Sequence, residues 1–151
     1  MILYPAIDLK EGKCVRLVKG KMTEATVFNE SPASQAKLFQ NSGCEWLHLV
    51  DLNGAFEGRS VNSIAIEQII KNCDLPIQLG GGIRNINSIE KWLSLGISRI
   101  ILGTSAVMNP ELVKNSAKQF PGRIVVGLDA KNGYVATNGW DKTTSILARD
   151  L

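Results

Sequence analysis

The sequence predicts an α/β fold, a parallel (βα)8 barrel of which this chain carries about the first five βα units. Three observations predict it. Short apolar strand-like runs alternate five times with helical patterns over the 151 residues, joined by short connections. The strand runs are apolar throughout rather than alternating, as expected for strands buried on both faces. Glycine or aspartate punctuation follows every strand. An open doubly wound sheet concentrates its binding glycines after the first strand, whereas a ring of functional loops at one face is the habit of the closed barrel. A complete barrel of this type takes about 250 residues. Residues 1–151 are therefore expected to form one partial-barrel domain, cut in the fifth helix. Strands one and five would be unpaired edges, through which the fragment would self-associate.

Met1 to Leu9 reads as the first strand, and Lys13 to Val18 as a small excursion strand in the loop behind it. Ser31-Pro32 starts a helix, with serine as cap and proline at the first helical position; it runs through Ala36, Leu38 and Phe39 to a stop at Gly43. Trp46 to Leu52 is the second strand and Asn53 to Gly58 a loop. From about Asn62 to Asn72 a helix follows, with Ile64, Ile66, Ile69 and Ile70 as its buried stripe. Pro76 to Leu79 is the third strand, and Asn87 to Leu95 the helix that Gly96 ends. Arg99 to Leu102 is the fourth strand, and Asn109-Pro110 opens a helix running to about Gln119. Arg123 to Leu128 is the fifth strand, Gly133 to Thr137 a second excursion, and Thr143 the start of a helix still running at Leu151.

The bulk properties narrow the function. Apolar residues make up 44% and charged residues 21%, ordinary values for a soluble globular chain. The formal charge is only +3 and the basic residues are scattered, which argues against nucleic-acid binding but leaves room for an anionic small molecule. Cys14, Cys44 and Cys73 are odd in number and lack metal-type spacing, so they read as reduced thiols of a cytoplasmic protein. No run is long enough to span a membrane, and the first residues read as a strand rather than a signal peptide. Neither a metal nor another cofactor is expected.

The chemistry begins at Asp8. An apolar strand ends in this carboxylate, and Lys10 and Gly12 follow at fixed offsets; Asp129, Lys131 and Gly133 repeat the spacing Asp-x-Lys-x-Gly. A single strand-end aspartate is most simply a turn former or helix cap. Two in repeated surroundings point to a duplicated scaffold that aims two acid–base groups at one cavity. Gly80-Gly81-Gly82, followed by Ile83-Arg84 and a helix, suits a phosphate cradle, and Gly103-Thr104-Ser105 on the next strand could serve the same anion. The plain alternative is a pair of glycine-rich turns. His48, the only histidine, is either a core residue or a hydrogen-bond donor in the cavity; period-two alternation sends Asp51 to the opposite face, so the two do not form a dyad. Trp140 is either a packing residue or a lid over a ring.

Together these stretches resemble a known family. Pro5 to Lys10 with Cys14-Val15-Arg16-Leu17, His48 to Ala55, Gly80 to Arg84, Gly103-Thr104 and Gly127-Leu128-Asp129 are similar, in order and along the whole chain, to the aminoaldose–ketose isomerases of histidine biosynthesis. That family acts on phosphoribosylformimino-5-aminoimidazole carboxamide ribotide. The nearest rival is the cyclase subunit of imidazole glycerol phosphate synthase, which usually has Cys-Leu-Asp-Val at the first strand where Ala6-Ile7-Asp8-Leu9 stands here. A reading from another class is a non-catalytic phosphate-binding half barrel. The resemblance implies an Amadori rearrangement of a bis-phosphorylated ribonucleotide, with Asp129 as general acid and Asp8 as general base. It implies substrate or phosphate contacts from Arg16, His48, Gly81, Gly82, Arg84, Gly103, Thr104 and Trp140. It further implies a monomeric full-length protein whose second phosphate site lies in the other half, and an inactive fragment. Asn53 stands where the family commonly has Asp, and Lys19-Gly20-Lys21 where Gln-Gly-Asp is usual; both are loop positions and bear on substrate contacts.

Overall fold

The structure, a computed structural model, describes residues 1–18, 20–137 and 142–150. Among these residues the strands form two sheets. Five parallel strands make the body of the larger one: β1 (Ala6–Lys10), β4 (Leu47–Asp51), β5 (Ile77–Gly80), β6 (Arg99–Leu102) and β7 (Ile124–Val126) lie side by side in that order. Helices α1 (Pro32–Asn41), α3 (Ser63–Asn72), α4 (Ile86–Ser94) and α6 (Pro110–Gln119) connect them. This is an α/β fold consistent with the first units of a (βα)8 barrel.

The helix starts follow local chemistry. Ser31 and Asn109 each accept a backbone N–H of the first turn, with Pro32 and Pro110 already holding the helical φ. Asn85 does the same for α4 by accepting from Ser88 N–H at 2.9 Å. In α3 the buried stripe is Ala65, Ile66 and Ile69, with Ile70 packed partly against it; Ile64, expected there, is 77% exposed. The three- and four-residue steps from Asn62 to Ala65, Ile66 and Ile69 leave Ile64 on the outer face. Ile7, Leu9, Leu47, Leu49, Leu79, Ile100 and Leu102 meet these helices in one core that also encloses Trp92.

Several segments differ from expectation. The excursion after β1 is a full hairpin, β2 (Lys13–Val18) and β3 (Lys21–Asn29), which extends the large sheet. Strand β1 is therefore flanked by β2 and β4 and is not an edge, whereas the fifth parallel strand, β7, is an outer strand as expected, with β3 at the other side. The segment after β4, read as a loop, is a short helix α2 (Leu52–Glu57), capped at its start by the Asp51 carboxylate and at its end by Gly58 at φ 73°. Gly103-Thr104-Ser105 likewise leads into a short helix, α5 (Thr104–Met108). The helix expected from Thr143 is strand β10 (Lys142–Leu147), which pairs with β9 (Tyr134–Thr137) and, through it, β8 (Asp129–Lys131). Thr143, Thr144 and Ile146 are β-branched, and an adjacent strand edge offers their backbone a ladder that outweighs the helical reading.

The Asp-x-Lys-x-Gly repeat is realised as two matching hairpins. Asp8 pairs with Val15 and Lys10 with Lys13; Asp129 pairs with Ala136 and Lys131 with Tyr134. Both turns need two residues of positive φ, supplied by Glu11 (51°) and Gly12 (77°) in one and Asn132 (53°) and Gly133 (83°) in the other. The shared lysine-to-glycine spacing thus has a backbone reason as well as a chemical one.

Candidate functional site

Strand register sorts the side chains of the large sheet. Residues paired across strands share a face, and successive residues alternate. Ile7, Leu49, Leu79 and Ile100 form one row against the helices; Ala6, His48, Gln78 and Arg99 form the neighbouring row on the other face, with Asp8, Val50 and Gly80 in the next row toward the strand ends. Asp8 and His48 are thus diagonal neighbours. Both are half-buried. Burial pushes the Asp8 carboxyl above its ordinary value, partly offset by the nearby His48 imidazole. Burial likewise pushes His48 down, partly offset by Asp8. Gln78, which the sequence did not flag, places its side-chain amide nitrogen 2.7 Å from His48 Nδ1.

The raised Asp8 carboxyl has a consequence for stability. Between the ordinary value of 3.8 and the raised folded value, the folded chain keeps a proton that the unfolded chain has released. Stability contributed by this group is therefore present below the unfolded value and lost as pH rises through the folded one. Asp8→Asn is expected to flatten that slope and to leave the fold more stable than the parent at neutral pH. Urea midpoints of both proteins at about pH 4 and about pH 7 check it; a variant less stable at neutral pH contradicts it.

At the strand ends a cleft of about 240 Å³ opens, lined by Val50, Leu52, Ile101, Gly81, Gly82, Arg84, Gly103, Thr104 and Asp129. Six of the residues singled out from the sequence are brought together there: Gly81, Gly82, Arg84, Gly103, Thr104 and Asp129. The Ser105 hydroxyl donates to Ile83 O at 3.0 Å and so ties the two glycine loops to each other. Asp129 is exposed on β8 rather than buried. Arg84 is exposed, with its guanidinium over Gly58 and Nη2 3.4 Å from Ala55 O.

Others are not gathered into the cleft: Asp8 and His48 stand on the open face of the sheet without lining the cleft, so of the two aspartates only Asp129 does. Arg16 is exposed on β2, and its neighbour Leu17, on the opposite side of that strand, is the residue that lines it. Lys10, two residues after Asp8, donates to Met22 O at 3.2 Å and lies 3.8 Å from Glu11. Trp140 and Lys19 lie outside the described residues. Among the described residues, no three His, Cys, Asp or Glu side chains converge as a metal site requires. Cys14 and Cys73 are buried free thiols, and burial pushes Cys14 up to about 11.

The group that holds this end of the sheet together carries no functional mark in the sequence. Asp51 faces the helix side, as alternation predicts, and is 1% exposed. Its carboxylate accepts from Gly54 N–H, Val61 N–H, Asn62 N–H and the Asn62 side-chain amide at 2.7–3.0 Å. Asn62 in turn accepts from Gly12 N–H at 2.7 Å and donates to Leu9 O at 3.3 Å, and Asn53 Oδ1 accepts from Glu11 N–H at 2.9 Å. The turn that follows Asp8 is thereby stitched to the loop after β4. Asn53 acts here through an oxygen that an aspartate also possesses, so its departure from the family residue leaves these contacts intact. Gly81 belongs to the same arrangement: a Cβ there would sit 2.2 Å from Asp51 O, and one at Gly82 would be 2.6 Å from the carbonyls of Gly54 and Arg59. Those glycines are required by backbone packing whether or not an anion binds.

A family model described as "Histidine biosynthesis protein" matches residues 2–151. Three curated relatives named as phosphoribosyl-(phosphoribosylamino)methylideneamino imidazole-carboxamide isomerases align over the whole of this chain. That of Dinoroseobacter shibae is 61% identical, that of Azospirillum brasilense 58%, and the first of the forms from Ruegeria pomeroyi 59%. The chain spans 63%, 59% and 63% of their respective lengths, about three-fifths of the curated relatives it matches.

Proposed function

This chain belongs to the histidine biosynthesis protein family, and on that premise we propose that it is the N-terminal portion of an isomerase converting the phosphoribosylformimino aminoimidazole carboxamide ribonucleotide from aminoaldose to ketose. The observation that carries the reading is the 58–61% identity to proteins named as that isomerase, unbroken along the chain. The geometry supports it: Asp8 and Asp129 occupy equivalent positions of two matching hairpins, and Asp129 lines a cleft bordered by both glycine loops.

In the proposed reaction Asp129 gives a proton to the ring oxygen as the C1–O bond breaks, leaving a Schiff base at C1. Asp8 removes the C2 proton, and the resulting enolamine tautomerises to the ketose. Burial brings the Asp8 carboxyl upward, toward the neutral range in which a general base works best. The glycine loops hold a phosphate of the substrate. The deciding experiment joins this chain to the remaining length its relatives possess and assays conversion of the aminoaldose. Absence of turnover in well-folded protein overturns the proposal.

The cradle has its own test in the 151-residue chain. Inorganic phosphate is expected to bind with a dissociation constant near ~1 mM, about 4 kcal/mol. Gly103→Val is the informative variant, because a Cβ there meets only Gly127 O at 3.7 Å, whereas Gly81→Val would disrupt the packing on Asp51. Gly103→Val should abolish the phosphate-induced amide shifts in residues 80–84 and 103–105, and Asp8→Asn should leave them unchanged. Equal binding by Gly103→Val and parent removes the cradle.

A further inference from the structure

We propose that Gln78 is a positioning residue that fixes His48 in its Nε2–H tautomer, so that His48 and Asp8 present one donor and one acceptor to a sugar hydroxyl. The ligand class rests on the function proposed above; the tautomer does not.

The Gln78 side-chain nitrogen lies 2.7 Å from His48 Nδ1. An amide nitrogen carries only N–H donors, so Nδ1 must offer its lone pair, and the neutral ring must carry its proton on Nε2. Among the described residues Nε2 has no hydrogen-bond partner, yet it is not sealed from solvent, since no buried side-chain nitrogen or oxygen lacks a partner. It is a donor awaiting an acceptor. The register puts Gln78 directly beside His48 on the next strand, and Asp8 diagonally ahead of it on the strand before. On β1, β4, β5 and β6 the charged groups of this face are Asp8, Lys10 and Arg99. The Lys10 ammonium donates to Met22 O at 3.2 Å and lies 3.8 Å from Glu11. Arg99 is turned away: its guanidinium stacks on Trp46 at 4.3 Å and reaches Tyr4 Oη at 3.5 Å, at the opposite ends of the strands from the cleft.

A donor N–H and a carboxylate on adjacent strands suit a group that both accepts and donates. A hydroxyl does both through one oxygen, whereas a phosphomonoester, mostly dianionic at neutral pH, chiefly accepts, and its negative charge is repelled by the Asp8 carboxylate. The row therefore selects the sugar and leaves the phosphate to the glycine loops. Burial pushes the His48 imidazole below its ordinary value, the direction that favours the neutral ring this role needs.

Because His48 is the only histidine, ¹⁵N-labelled chain reports its tautomer without assignment of the rest. Two-bond ¹H–¹⁵N correlation spectra at slightly alkaline pH should show a pyridine-type Nδ1 and a pyrrole-type Nε2. A pyrrole-type Nδ1 overturns the proposal, since it means that Gln78 presents its oxygen. Gln78→Glu offers only acceptors and should reverse the tautomer; Gln78→Leu should give a mixture. A variant that keeps the parental tautomer while folded also overturns it, and the parental spectrum alone decides if neither variant folds. Titration with ribose phosphate should then move the His48 Nε2 signal, which inorganic phosphate should leave in place. Binding of the sugar should weaken up to about tenfold in Gln78→Glu. A correct tautomer whose Nε2 ignores ribose phosphate overturns the hydroxyl assignment, while the phosphate shifts at the glycine loops report separately on the underlying functional reading.

Discussion

Asp51→Ala is expected to unfold the chain or to cost it about 4 kcal/mol or more. Its carboxylate serves four N–H groups within 2.7–3.0 Å and is 1% exposed. Hydrogen bonds to a charged group contribute about 1.5–3 kcal/mol each, and donors left unpaired in a buried site add their desolvation penalty. Against a typical domain stability of about 5–15 kcal/mol, that loss is a large share of the whole. Asp51→Asn should be milder, because Oδ1 can still accept while the new amide faces Val61 N–H and Asn62 N–H with donors of its own. Urea denaturation and the dispersion of the amide spectrum read the outcome. A midpoint for Asp51→Ala within about 1 kcal/mol of the parent would show that the loop after β4 closes without this carboxylate.

In the protein completed to the length of its relatives, Asp8→Asn and Asp129→Asn should each lower kcat by about 10²–10⁴-fold, the usual contribution of a positioned acid or base. KM should change far less, because the phosphates carry most of the binding. The two variants should also differ in a way that their environments dictate. Asp8 is half-buried beside His48 and its neutralisation relieves a desolvated charge, so Asp8→Asn trades activity for stability. Asp129 is exposed on β8, so Asp129→Asn should lose activity at nearly unchanged stability. Turnover close to the parent in either variant removes that residue from the mechanism, and a large rise in KM reassigns it to binding.

Much of this was legible in the chain itself. Arg99–Leu102 and Pro110–Gln119 are bounded as their flanking signals indicate, because caps, prolines and apolar runs act over a few residues. The opposite facing of His48 and Asp51 followed from alternation alone. What failed did so where the deciding partner is distant. Residues 142–147 carry no local mark of a strand stronger than their helical pattern, and only the edge of β9 makes them one. Leu52–Glu57 looks like a loop until Asp51 and Gly58 are seen capping it. Gln78 reads as a lone polar residue in an apolar strand, and nothing nearby announces that His48 stands across from it.

The sequence by itself determined the alternation of the five parallel strands with α1, α3, α4 and α6, the family, and the two aspartates with the Lys-x-Gly turns behind them. Each of these is written in short-range spacing, which backbone geometry reads directly. Tertiary structure alone decided which side of the sheet each carboxylate works on. Asp8 lies within β1 and Asp51 ends β4; the first faces the open side beside His48 and the second accepts four hydrogen bonds inside the fold. The difference arises because those four donors, at Gly54, Val61 and Asn62, are brought to Asp51 only when its loop closes against the turn at Gly12.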